Sequence, residues 1–280
     1  MALSRQRKRK INTTIVYVVL FIIGITILVP FFWMVSTSFK PNPEILTREV
    51  RLLPQEPTLE QYKEVFSRVP YWINLFNSFF ISSVTTAIAI FFATMTGYGI
   101  AKYNSRGLNI IFVFILTALM IPPFVIAIPL YLVAARMGLV NSLIAVIIPF
   151  GVSNFGIFLM RQFCLSIPDD LLAASRIDGA SEFRTFTQIV FPTVASGWAA
   201  LGVLKFLMTW NDFFWPLIML THEHKMTLQV MLAQSVDFEM GVDYGFVMAL
   251  TTLMVVPILI IFLFFQRRII EGVSLSGMKG

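Results

Sequence analysis

Residues 168–192 read PDDLLAASRIDGASEFRTFTQIVFP. The segment lies between two stretches apolar enough to cross a membrane, and its own pattern is that of two short helices around a turn. Pro168 suits a position just before or at the start of a helix, where its missing N–H costs nothing. Asp169 and Asp170 then fall near the helix N-terminus, where the backbone dipoles favour negative charge. LLAASRI supplies about two turns. Asp178-Gly179 ends them, because Gly179 takes the left-handed conformation of a C-cap without strain. Ser181 is placed to cap a second helix, EFRTFTQIVF, which slopes back to the apolar phase through Phe183, Phe186, Ile189 and Val190. Pro192 opens the next apolar run. A polar module this regular, held between two spans, is a docking element for a soluble partner. Force on a helix tied to both spans tilts both.

The rest of the chain explains why those neighbours are spans. Of 280 residues, 57% are hydrophobic and 13% charged, against about 25% charged in soluble domains. The charges cluster. Residues 11–39, 69–101, 107–135, 137–160, 185–204 and 244–266 hold no Asp, Glu, Lys or Arg. Each run reaches the ~20 residues a helix needs to cross a bilayer core, and only a helix satisfies its backbone there. The expectation is an all-α membrane protein forming one domain over 1–280. Its six spans are placed at about 13–36, 71–100, 108–134, 143–163, 192–217 and 244–266, with an inner loop at 164–191 and a tail at 267–280. Six spans put both termini on one side. With that side cytoplasmic, thirteen Lys and Arg lie inside, seven outside and Lys205 within a span, as the positive-inside rule requires. The N-terminal RQRKRK is therefore a topology anchor, and a nucleic-acid role is excluded by the lack of any other basic face. The first run is too long for a signal h-region and lacks a small-residue cleavage site, so it reads as a retained helix. Cys164 is the single cysteine, which excludes an intrachain disulfide or a cysteine-based metal site.

Local punctuation refines this plan. Pro41 and Pro43 end the first span. PTLEQYKEVF in the outer loop places Leu59, Tyr62, Val65 and Phe66 at helical spacing, with Thr58 as N-cap and Gln61 completing a capping box. Such a surface helix touches a neighbouring subunit or packs on the bundle. IPPFVIAIP at 121–129 carries three prolines and predicts a kink, with a substrate path as a second reading. Pro149, Gly151 and Gly156 interrupt the fourth span.

The spacing from Ala173 to Pro192, AAS-x3-G-x9-I-x-F-P, resembles the EAA loop of importer-type ABC transporter permeases. RIDGAS at 176–181, TWNDFFWPL at 209–217 and the tail FFQRRIIEGVSLSGMKG resemble the smaller six-span permease of maltose-type carbohydrate importers, and the likeness runs end to end. The resemblance implies a type I importer permease fold with a cytoplasmic coupling helix, in a bacterial or archaeal cell membrane. It implies partners: a second permease subunit, two ATPase subunits and an extracytoplasmic sugar-binding protein. ATP and Mg belong to the ATPase; this chain binds no cofactor and catalyses nothing, and it has no GxxxxGK[ST] motif. The implied ATPase contact comprises Asp170, Leu171, Leu172, Ala173, Ala174, Ser175, Arg176, Ile177, Asp178, Gly179 and Ala180, with Leu172, Ala174 and Ile177 as its apolar docking face. The tail Ser276, Gly277, Met278, Lys279 and Gly280 reaches the ATPase dimer. The chain departs from the family where a leading Glu is replaced by Ala173 and the second Ala by Ser175. One ionic contact is then missing, or supplied by Asp169, Asp170 or the partner permease.

Lys205 and Asp212 are the ionisable residues of the fifth span, too far apart along a helix for a direct pair and assigned structural roles between helices. Ser153, Asn154, Trp210, Asn211 and Trp215 are the pathway candidates, each also able to serve as packing glue. His222-Glu223-His224 reads as a solvated loop rather than a metal site, since further ligands are lacking. The expected cargo is a di- or oligosaccharide; glycerol phosphates or another polar solute are the alternative. A stand-alone secondary transporter is disfavoured because the apolar runs hold no mid-span carboxylate.

Overall fold

The structure, a computed structural model, describes residues 2–47, 51–103, 105–236 and 242–277. In chain order the helices are α1 (Ala2–Thr37), α2 (Asn42–Ile45), α3 (Glu60–Arg68), α4 (Tyr71–Lys102), α5 (Arg106–Ala118), α6 (Pro123–Arg136) and α7 (Leu143–Ile147). They continue with α8 (Asn154–Leu165), α9 (Asp169–Ile177), α10 (Glu182–Thr185), α11 (Phe191–Thr193), α12 (Ala195–Trp210), α13 (Phe214–Met219), α14 (Leu228–Gln234) and α15 (Tyr244–Gly277). Among the described residues, α1, α4 and α15 are each long and apolar enough to cross a membrane unaided. The other three expected spans are each broken. The bend is 105° between α5 and α6, 44° between Leu143–Phe150 and α8, and 77° between Glu182–Thr193 and α12. Counting each bent pair as one span gives six.

The breaks have chemical causes. α5 stops at Ala118, short of Pro122 and Pro123, which cannot continue its hydrogen-bond ladder. α7 passes into a 3-10 turn at Ile148–Phe150 around Pro149, and Ser153 then caps α8 by accepting from the Gly156 N–H at 3.0 Å. Before Pro192 the chain widens into a π-helical turn at Phe186–Val190, and it breaks at Val194 (φ −94°, ψ 26°). Residues 192–217 are therefore several short helices; the expected single fifth helix is not formed.

The chain divides into two compact units. The described parts of Met1–Val69 and Gln234–Val256 form one. Here α3 is fixed from its buried side, where Val65 is fully buried. Ser38 Oγ lies 2.7 Å from the Tyr62 hydroxyl, and Arg68 pairs with Glu64 at 3.1 Å and Asp243 at 3.3 Å. The capping expectation was misplaced. Leu59 holds the N-cap position, and Thr58 Oγ1 accepts from the Glu60 N–H. Gln61 is buried, with Nε2 donating to Lys40 O at 3.3 Å and Asn42 Oδ1 at 3.0 Å, so its amide serves the preceding turn instead of its own helix.

The described parts of Pro70–Ala233 and Pro257–Gly280 form the second unit. α4 is its axis and packs on α8 and α12. The approach to α8 is close enough to require glycine: a Cβ at Gly97 would stand 2.7 Å from the Arg161 backbone nitrogen. A core of Ala93, Tyr98, Ile157, Met160, Val190 and Leu201 closes the interface. At the other end of α4, Asn74 Nδ2 donates to Glu223 O (2.7 Å) and Met226 O (3.0 Å). Asn77 Nδ2 donates to His224 O (2.9 Å) and Met226 O (3.1 Å). Asn141, in the left-handed region at φ 61°, accepts from the Thr221 and His222 N–H groups through Oδ1, both at 3.2 Å. The segment holding both histidines is thus held by asparagine side chains bonded to its backbone, and no cluster of three metal-ligating side chains occurs among the described residues.

Candidate functional site

The 168–192 module folds along the lines its sequence lays down. Pro168 occupies the N-cap position of α9, Asp169 and Asp170 its first turn, and Asp178 its C-cap. Gly179 adopts φ 77°, and Ser181 Oγ accepts from the Arg184 N–H to cap α10. What the sequence misplaced is one residue of the docking face, Leu172. Leu172 is buried in the core with Ile167, Tyr98 and Phe186, so it cannot belong to a docking face. Burying it contributes about 2 kcal/mol to holding α9 in place. Leu171, Ala174 and Ile177, three residues apart and hence on one side of the helix, face outward instead. Ile177 is 86% exposed. Asp170, Ala173, Arg176, Asp178 and Gly179 are also exposed, and Ala180 is half-buried.

Ser175 explains why the side carrying Leu172 turns inward. Its hydroxyl is buried, donates to Leu172 O at 2.9 Å and lies 3.0 Å from the Thr185 hydroxyl, itself fully buried. A buried hydroxyl left unpaired is costly, so the pair locks α9 against α10 with the polar stripe inward.

Two charged contacts complete the seat. Lys102, at the end of α4, donates to Asp169 Oδ1 at 2.7 Å and to Ile167 O at 2.5 Å. Arg176 Nε donates to Glu182 Oε1 at 2.9 Å. The other carboxylate oxygen of Glu182 accepts from the Tyr103 hydroxyl and, at 3.4 Å, from that of Tyr98. The Tyr103 hydroxyl, with Arg176 second, holds the Glu182 carboxyl below its ordinary range, while Glu182 raises the Arg176 guanidinium further. Lys102, Tyr103, Glu182 and Thr185 were not singled out from the sequence. The signal for them is the short spacing of Arg176 and Glu182 across the glycine turn. Asp170 has no ion pair among the described residues.

The family model for binding-protein-dependent transport system inner membrane components matches residues 89–274. The chain belongs to this family. The permease is similar to the arabinooligosaccharides transport system permease protein AraQ of Halalkalibacterium halodurans, 35% identical over 254 residues that cover 90% of this chain and 91% of that one. It is also similar to the lactose transport system permease protein LacG of Rhizobium radiobacter, 29% identical over 95% of this chain and 96% of the relative. Its fold matches a crystal structure of a bacterial ABC transporter involved in alginate import, with a TM-score of 0.82 at 23% identity over 93% of this chain and 97% of that one. It is an all-α membrane permease.

The pathway candidates of the permease do not gather at one place. Ser153 caps α8, with Asn154 beside it at the helix start. Trp210 is buried, stacks on Phe206 (ring centroids 5.9 Å apart), and its Nε1 has no hydrogen-bond partner among the described residues. Asn211 is exposed and donates to Leu207 O at 2.9 Å. Trp215 is buried, its Nε1 donating to Ala145 O at 3.0 Å. Trp215, Lys205 and Asp212 instead share the wall of a cavity of about 270 Å³. Asp212 is not inside a helix: Oδ1 accepts from the Phe214 and Trp215 N–H groups, at 3.1 and 3.4 Å, at the start of α13. In the tail, α15 runs through Ser276 to Gly277, while Met278, Lys279 and Gly280 lie outside the described residues.

Proposed function

We propose that the chain is one permease subunit of an ATP-driven, binding-protein-dependent importer of di- or oligosaccharides. It pairs with a second, different permease subunit to form the translocation path. Each permease offers a coupling helix to one of two ATPase subunits, which bind ATP and Mg. An extracytoplasmic binding protein delivers the sugar. Both termini are cytoplasmic, and the tail from Ser276 to Gly280 enters the ATPase dimer.

The observation that carries the coupling role is the outward stripe Leu171, Ala174 and Ile177 on a helix whose opposite side is bonded to the chain's own core. A helix free to reorient would hide those side chains; α9 is held so that they stay in solvent, where a cleft on a soluble protein can take them. The sugar assignment is supported by the relatives, whose names specify arabinooligosaccharides and lactose.

The test is affinity purification of the tagged chain from its native membrane in mild detergent. Co-purification of a second permease and an ATPase, with ATP hydrolysis stimulated by a binding protein and its sugar, is expected. A homo-oligomer without hydrolysis, or stimulation only by a glycerol phosphate or another non-sugar solute, overturns the assignment.

A further inference from the structure

The cavity shared by Lys205 and Asp212 lies within one compact unit and has aromatic walls from Phe124, Phe150, Phe214 and Trp215. The walls are braced. Trp215 is tied to Ala145 O, Phe150 meets Trp215 edge-on at 6.1 Å, and Phe124 meets Phe214 edge-on at 4.6 Å. The polar groups, by contrast, are uncommitted. Lys205 Nζ lies 5.6 Å from the Phe150 ring centroid, and among the described residues it forms no hydrogen bond or ion pair. Asp212 spends Oδ1 on the start of α13, and its Oδ2 forms no hydrogen bond among the described residues. A charge inside an apolar span is expensive unless it is satisfied, and such residues mark substrate paths.

We propose that this cavity is a contact point for one neutral sugar ring in transit, with Lys205 and Asp212 as its hydrogen-bonding pair. The proposal rests on the sugar-importer reading above and adds a substrate site on this subunit. Three ammonium donors and a free carboxylate oxygen match hydroxyls, which both accept and donate. Because the two charges cancel, the site holds no net attraction for an anionic cargo. Rigid aromatic walls with a few fixed polar groups are the usual make-up of a small-molecule site. The volume of about 270 Å³ falls just under the ~300–1,000 Å³ of pockets for drug-sized ligands. It therefore takes one ring, and an oligosaccharide passes ring by ring.

The experiment uses the assembled transporter in proteoliposomes, with arabinotriose, lactose and diacetylchitobiose as probes in turn. For a transported probe, Lys205→Met and Asp212→Asn are each expected to raise the uptake KM about ten-fold, the cost of one lost hydrogen bond to a charged group, with Lys205→Arg restoring most of it. In a Cys164→Ser background, the same probe is expected to slow methanethiosulfonate labelling of Lys205→Cys. That arm decides the matter if the Met or Asn variant fails to assemble. Unchanged KM together with labelling indifferent to the sugar overturns the site and leaves the sugar reading standing. A wild-type transporter that moves a non-sugar solute and no sugar overturns the sugar reading and the site with it.

Discussion

Lys102 Nζ lies 2.7 Å from Asp169 Oδ1, joining the last residue of α4 to the first of α9. The lysine is nearly buried and the aspartate largely exposed. A pair with one side in water contributes about 0–1 kcal/mol, so its role is positional. Lys102→Met should leave the thermal midpoint of the permease within about 4 °C, since ~1 kcal/mol shifts a chain of this length by about 2–4 °C at most. It should nonetheless lower sugar-stimulated ATP hydrolysis several-fold by loosening the seat of α9. Hydrolysis at the wild-type rate would show that the pair does not position the helix.

Ser175→Ala restores the residue the EAA pattern carries at this position, yet it should destabilise this chain. It strands the Thr185 hydroxyl, buried at 0% exposure, at a cost of about 1–3 kcal/mol. The double variant Ser175→Ala, Thr185→Val removes both partners and should recover most of the loss. Thermal denaturation of the four proteins of this cycle in detergent measures the coupling; additive effects would refute it.

Gly97 and Gly99 make a matched pair of tests on α4. A Cβ at Gly97 meets the Arg161 backbone at 2.7 Å, whereas one at Gly99 meets nothing within 4 Å. Gly97→Ala should cost about 1–3 kcal/mol through overpacking. Gly99→Ala should be neutral or slightly stabilising, since it improves helix propensity. Folded yield and thermal midpoint read both.

Gly179 holds φ 77°, which an alanine adopts at a cost of about 1 kcal/mol and a proline not at all. Gly179→Ala should therefore assemble with the ATPase. Gly179→Pro should insert in the membrane but uncouple or release the ATPase. Co-purification of the two subunits distinguishes these outcomes, and normal transport by the proline variant would sink the coupling role of the loop.

The Glu182 carboxyl titrates below its usual range because Tyr103 and Arg176 donate to its charged form. Its contribution is complete above the ordinary carboxylate range and is lost as pH falls through the depressed value. A nitroxide introduced with Ala180→Cys in the Cys164→Ser background should gain mobility only on acidification below the ordinary carboxylate range. With Glu182→Gln it should be mobile at every pH. Mobility independent of pH in the wild-type background would exclude the contact.

The coupling module was legible in the sequence because its signals are local. A proline, two aspartates, a glycine and a serine each act within one helical turn, and α9 starts and stops where they say. Which side of α9 faces inward was only partly legible. Ala174 and Ile177 face outward as expected, but Leu172, expected beside them on the docking face, is buried. The side carrying Leu172 and Ser175 turns inward because Thr185, ten residues on, supplies a hydroxyl partner. Gln61 misled in the same way, its local capping role displaced by acceptors about twenty residues earlier. The absence of charge located the apolar runs but not the bends within them, since hydropathy is blind to the direction of a helix axis. The cavity needed α6, α7, α12 and α13 brought together, which no spacing reports.

The 32 residues of α4 span about 48 Å at 1.5 Å per residue. One tip clasps α9 through Lys102; the other holds the carbonyls of Glu223, His224 and Met226 through Asn74 and Asn77. The rod is thus pinned at both tips. On the coupling role proposed for α9, a push that rocks it while those bonds hold is relayed along α4 to the strap at 223–226, which makes α4 the pushrod of that role.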